Sequence, residues 1–196
     1  MSADAVELRV LGCLIEKQRT TPDAYPLSLN ALRLACNQAT NREPVVDYDE
    51  PAIRDALQRL SAKGWVRLAS GPSSRAVKYR HLFDEALDLA GPEISLLAVL
   101  MLRGAQTVGE LKARSERLHR VASLAEVDEA LHSLASRDLV VRLQRRPGQK
   151  EERWEHQLGE TDAAVPAAAP PDSLEERVRL LEEQVAELRA QLDRAL

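Results

Sequence analysis

The residues of this chain best placed to do chemistry are amides and cations, not acids or nucleophiles. Residues 37–42 read Asn37-Gln38-Ala39-Thr40-Asn41-Arg42. Side-chain amides can pair bidentately with adenine, and a guanidinium suits guanine or phosphate. Arg54 and Gln58 stand one helical turn apart, with Lys63 beyond them, although Asp55 beside Arg54 would repel phosphate. Arg75, Lys78 and Arg80 form a second cationic group, and Arg145, Arg146 and Lys150 a third. Such cations suit backbone contacts that position a protein on a duplex without specifying its sequence. The 37–42 stretch also has a structural reading, because Asn and Gln in irregular segments often satisfy nearby backbone groups.

Catalytic patterns are missing from the sequence. His81, His119, His132 and His156 show no metal-ligand spacing with one another or with Cys13 and Cys36. There is no nucleophile elbow, phosphate loop or dinucleotide fingerprint. The acids Glu151 and Glu152 sit between Lys150 and Arg153, as on a solvated hairpin. The chain is therefore expected to be no enzyme and to need no metal or cofactor. Cys13 and Cys36 fall in apolar helical patterns and read as buried free thiols of a reducing compartment, with no spacing argument for a disulfide.

The net charge of −4 is unevenly spread. Residues 1–82 carry 12 Lys and Arg against 9 Asp and Glu, residues 83–160 carry 11 against 14, and residues 161–196 carry 4 against 8. Only the first segment is basic, and mildly; a strong electrostatic DNA binder would usually show more, and ordinary solvated surface charge is the competing reading. Asp4, Glu7 and Arg9 interrupt the N-terminus before any signal-like apolar run. The apolar stretch 94–102 is far short of the roughly 20 residues that cross a bilayer. A cytoplasmic protein without membrane contact is expected.

These groups must be positioned by a repeated unit. The run 56–67, with Ala56, Leu57, Leu60, Gly64, Trp65 and Val66, returns at 130–141 as Ala130, Leu131, Leu134, Asp138, Leu139 and Val140. Each is an amphipathic helix end, a stop, then an apolar strand. The spacing predicts a first helix over 3–17, with Val6, Val10, Leu11, Leu14 and Ile15 on one buried face. A second helix is capped by Ser28, and a third has Pro51 in its first turn. Strands are expected over 65–69 and 76–82, around a loop of turn residues. The second copy begins after Gly91, with Thr107 and Ser123 as caps and strands over 139–143 and about 152–158. Tyr79 and His81 recur as Trp154 and His156. The helix over 94–102 is apolar nearly all round, so it must be covered on several sides, at an interface between domains or subunits or deep in one core.

Beyond the repeat, residues 159–173 hold Pro166, Pro170 and Pro171 around an alanine run and read as a linker. Leu174, Val178, Leu181, Val185, Leu188 and Leu192 then alternate spacings of four and three. With Val at a and Leu at d, this seam favours a parallel two-stranded coil and hence a homodimer. The coil is short, and docking of the helix onto the body is the competing reading.

Residues 25–32 (Tyr25-Pro26-Leu27-Ser28-Leu29-Asn30-Ala31-Leu32), Ala35-Cys36-Asn37-Gln38 and Asn41-Arg42-Glu43-Pro44-Val45 resemble the YceH family of uncharacterised bacterial proteins. So do the blocks from Arg103 to Leu111 and from Arg146 to Glu151. The resemblance implies two winged-helix domains in a bacterial cytoplasm, and brings no biochemical activity with it. The family usually carries a lysine after its Asn-Gln pair, where this chain has Ala39. If that lysine contacts phosphate, this chain lacks the contact.

The sequence thus predicts a mainly α protein with small β-hairpin wings, an α+β arrangement. Its expected parts are a first winged helix (1–82), a second (83–158), the linker (159–173) and a heptad helix (174–196). The leading expectation is double-stranded DNA binding, chiefly through the first unit's helix, loop and wing, with the second wing's Arg145, Arg146 and Lys150 adding contacts. The alternative is a non-enzymatic scaffold that binds a protein partner without nucleic acid.

Overall fold

Asp4 starts the first helix. Its carboxylate accepts from the Glu7 amide at 2.9 Å, and the Glu7 carboxylate accepts from the Asp4 amide at 2.8 Å. This reciprocal box opens α1 (Ala5–Thr20). Ser28 then caps α2 (Leu29–Cys36), and Asp49 caps α3 (Glu50–Ala62). Gly64, at φ 73°, turns the chain out of α3 into β2 (Val66–Leu68), which pairs antiparallel with β3 (Lys78–His81). A two-residue strand β1 (Leu27–Ser28) adds to the other edge of β3, giving the order β1-β3-β2. The computed structural model describes residues 2–69, 77–145, 149 and 151–159. Arg75, Arg146, Lys150 and the heptad residues Leu174, Val178, Leu181, Val185, Leu188 and Leu192 lie outside them, as does nearly all of the expected linker.

A short helix α4 (Phe83–Leu87) follows, too brief to show a period in the sequence, and sets the buried Phe83 ring edge-on to Trp65 at 4.9 Å. The pattern then repeats. Helix α5 (Gly91–Arg103) matches α1, α6 (Val108–Ser115) matches α2, and α7 (Leu124–Ser136) matches α3. Thr107 and Ser123 cap α6 and α7, as their sequence positions predict. Asp138, at φ 55°, takes the place of Gly64 before β4 (Val140–Leu143) and β5 (Arg153–His156). Register repeats as well. Val66 pairs with His81, and Val140 with His156. Leu27 bridges Tyr79, and Gln106 bridges Trp154. The result is an α+β fold of helices with small antiparallel strand pairs.

One correction concerns α1. Its spacing predicts a single buried face, yet every residue from Glu7 to Ile15 is buried. The reason is that α1 packs against α2 and α3 on one side and α5 on the other. Helix α5 is buried along its length too, and also meets α6, α7 and β5. The apolar helix is therefore covered from both repeats, and one continuous core runs through residues 3–158.

The α1–α5 contact is close because Gly12 has no side chain. A Cβ there would lie 2.9 Å from Leu102 Cγ and 3.3 Å from Met101 Cβ. Substituting Gly12→Val is expected to lower stability by about 1–3 kcal/mol through overpacking. Urea denaturation measures this, and an unchanged midpoint would show that the two helices separate freely.

Candidate nucleic-acid interface

The loop between α2 and α3 carries four of the residues whose types suit base contacts. Arg42 is buried, Asn37 and Gln38 are half-buried and Asn41 is exposed, and all four bond to other groups of the protein. Asn37 donates to the Tyr48 carbonyl at 2.8 Å and accepts from the Tyr48 amide at 2.9 Å, closing the loop on itself. Gln38 accepts from Lys17 Nζ at 3.1 Å. Asn41, in the left-handed region at φ 61°, accepts from Arg103 on α5. Arg42 is 4% exposed. Its Nη2 and Nη1 donate to the two carboxylate oxygens of Glu16 at 2.6 and 3.1 Å, and its Nε donates to the Ala35 carbonyl at 3.1 Å. These amides and this guanidinium fold the loop, and Arg42 has no face to offer a duplex.

Arg9, which the sequence marks only as a charge interrupting the N-terminal apolar run, completes the arrangement. It is buried in α1 and donates to the Cys36 and Pro44 carbonyls at 3.2 and 2.6 Å. The Glu43 amide donates to the Leu102 carbonyl at 2.8 Å, tying the same loop to the end of α5. Cys13 and Cys36 are buried free thiols, and Cys13 donates to the Ala35 carbonyl at 3.3 Å. Among the described residues no group of His, Cys, Asp and Glu could hold a metal ion.

The surface nominated on α3 is open. Arg54 and Gln58 are exposed one turn apart, and neither makes a hydrogen bond or ion pair among the described residues. Asp55 is exposed beside them. Lys63, by contrast, is committed to Glu7 at 2.5 Å and anchors α3 to the start of α1. The β2–β3 hairpin separates its side chains by period. Val66 and His81 are buried on one face, while Arg67 stands directly opposite Arg80 on the other, with Lys78 two residues along. Arg80 also reaches Glu85 at 2.6 Å. Arg67 was missed in the sequence because only its cross-strand register places it with Arg80. Two like charges directly opposed are unfavourable in an isolated sheet, so this face has charge to offer an anion.

The second repeat presents the opposite chemistry on the same frame. Asp128 occupies the place of Arg54, and Glu129 that of Asp55, both exposed on α7. On its hairpin, Val141 pairs with Glu155 where Arg67 pairs with Arg80. Arg153 holds the place of Lys78 but turns back to Glu110 and the Ala105 carbonyl, at 2.9 and 2.8 Å. Arg145 is exposed beyond β4, and Arg142 pairs with Glu152 at 3.2 Å.

His81 and His156 take equivalent places on the two hairpins, the first buried and the second half-buried. Burial pulls the pKa of His81 down to about 4, with nearby Arg19 and Arg80 adding to the effect and Asp84 opposing it. Burial alone lowers His156 to about 4. His81 Nε2 lies 2.6 Å from Gln18 Oε1. Both rings are parts of the hairpin seats. No helix among the described residues is long and apolar enough to cross a membrane.

Comparison with known proteins bears on the whole of this frame. Residues 3–149 match the family model described as a protein of unknown function, DUF480. The chain is 46% identical over 202 residues to a UPF0502 protein of Serratia proteamaculans, covering 98% of this chain and 94% of that one. It is 49% identical over 201 residues to a UPF0502 protein of Stenotrophomonas maltophilia, covering 96% and 92%. It is 44% identical over 204 residues to the UPF0502 protein YceH of Salmonella typhimurium, covering 98% and 95%. Near-complete coverage of both partners extends the likeness through the loop, the hairpins and the shared helix, and this chain belongs to the UPF0502 (YceH) family.

Proposed function

We propose that this protein is a non-enzymatic, cytoplasmic DNA-binding protein with a role in transcription regulation, built from two winged helices. The observation that carries the reading is the cationic face of the first hairpin, where Arg67 stands opposite Arg80 with Lys78 two residues along, and the exposed Arg54 and Gln58 of α3 add to it. In this reading α3 enters the major groove and its side chains meet base edges, while the hairpin lies along the adjacent phosphates. Arg75, a cation between the two strands in sequence, lies outside the described residues. The second repeat, with Asp128 and Glu129 at the corresponding places, keeps its α7 surface off DNA and uses it for assembly. Its Arg145, Arg146 and Lys150 would touch phosphate only at the wing tip. The heptad seam supplies the homodimer.

Fluorescence anisotropy of the full chain on a mixed-sequence duplex of about 30 base pairs tests this. With four to six phosphate contacts, log affinity should fall against log salt with a slope of about −4 to −5. Arg54→Ala should weaken binding about tenfold, as expected for loss of one groove contact. Absence of binding at low salt, or an Arg54→Ala variant that binds as tightly, overturns the reading. The assembly reading without nucleic acid would then stand, favoured by Leu68 and Val77, exposed at 61% and 52% beside the same hairpin.

A further inference from the structure

A cleft opens where the two repeats meet, between α1, the loop after α2, the end of α5 and α6. It has a volume of about 260 Å³ and is lined by Lys17, Asn41, Arg103, Arg114 and Arg117, with Glu16 at its edge. Four cations thus face one carboxylate, and that carboxylate is already held by buried Arg42 at 2.6 Å. The partners of the others are weak or neutral. Lys17 lies 3.9 Å from Glu16 and donates to the Gln38 amide oxygen. Arg103 donates to the Asn41 amide oxygen, not to an acid. Arg114 is 3.6 Å from Glu110, which Arg153 already engages at 2.9 Å. Arg117 is exposed and makes no ion pair among the described residues.

We infer that this cleft is a binding site for the phosphate group of a small anionic ligand. Guanidinium forks match phosphate oxygens bidentately, and a concave wall of one sign concentrates the field where the anion would sit. The Arg103 guanidinium is held below its ordinary pKa, first by burial and then by the cations of Arg114 and Arg42, with Glu16 opposing. An anion among these groups would relieve that crowding. An adjoining recess shares Asn41, Arg103 and Arg114, and adds Gln106 and Arg153 with the acids Glu43 and Glu110. Gln106 is 4% exposed, with its amide donating to the Arg103 and Ala105 carbonyls at 3.1 and 3.0 Å, and it forms a fixed wall of the recess. The walls come from both repeats, and the combined space suits a small molecule better than a duplex. The site is separate from the α3 and hairpin surface proposed for DNA.

The test is calorimetric titration of the full chain with inorganic pyrophosphate at fixed ionic strength, with no nucleic acid present. Saturable binding to one site is expected. Arg117→Gln, which breaks no contact in the described structure, should weaken it about tenfold, and Arg103→Gln with Arg117→Gln should abolish it. No saturable binding, or equal binding by the double variant, overturns the proposal. A parallel duplex titration separates the two readings. Unchanged duplex affinity in the double variant supports a small-ligand site. Lost duplex affinity without pyrophosphate binding makes the cleft part of a nucleic-acid track and overturns it.

Discussion

Replacing Arg42 with alanine is expected to lower the stability of the protein by about 3–5 kcal/mol, the usual loss when one partner of a buried ion pair is removed. The side chain of Arg42 is fully buried, and that of Glu16 is 14% exposed at the cleft edge. Burial alone would disfavour the charge on Arg42, and its hydrogen bonds to Glu16 more than restore it. Removal leaves the Glu16 carboxylate at the cleft edge with Lys17 as a distant cation, and strips the Ala35 carbonyl of a donor. Chemical denaturation measures the loss. Adding Glu16→Gln to Arg42→Ala should recover part of it, because the stranded charge is gone. A loss below about 1 kcal/mol would place the pair in effective contact with solvent and contradict the burial described above.

Between about pH 7 and about pH 5 the protein should lose about 4 kcal/mol of folding stability through His81 and His156 together. Both have folded-state pKa values lowered to about 4, against 6.5 when unperturbed. Above pH 6.5 both states are neutral and the contribution is fully present. As pH falls below 6.5 the unfolded chain takes up protons that the folded chain refuses, so folding weakens. The decline ends near pH 4, where the folded rings protonate as well. Urea titrations at several pH values give the slope, expected to approach two protons taken up per unfolding event near pH 5. His156→Gln should halve it. A flat profile across this window would show that the rings titrate normally and that the hairpin seats are open to water.

Much of this was legible in the residues. The caps Ser28, Thr107 and Ser123 and the paired stops Gly64 and Asp138 depend on local chemistry, and a sequence displays local chemistry directly. The pairing of Tyr79 and His81 with Trp154 and His156 was legible because a duplicated hairpin repeats its register. The direction of the loop side chains was not. Arg42 looks like a guanidinium on an irregular surface segment until Glu16, 26 positions earlier, is folded beside it. Arg9 looks like the polar side of an amphipathic helix until Pro44 comes back to meet it. A helical period reports that one face is apolar, and says nothing about whether the opposite face is also covered. That is why α1 read as half-exposed and folds buried. The open places Arg54 and Gln58 were legible, whereas the partner of Arg80 across the strand, Arg67, needed the register.

The shared middle helix has a consequence for geometry. In tandem proteins joined by a tether, the distance between the two copies is adjustable, and a longer or shorter tether changes reach without harming either fold. Here Gly12 against Leu102 replaces the tether. The pose of one hairpin relative to the other is a property of interlocked side chains, as invariant as the core itself. Any target engaged by both ends of this molecule must therefore match a single span and angle, and natural variants can retune the faces but not the distance between them.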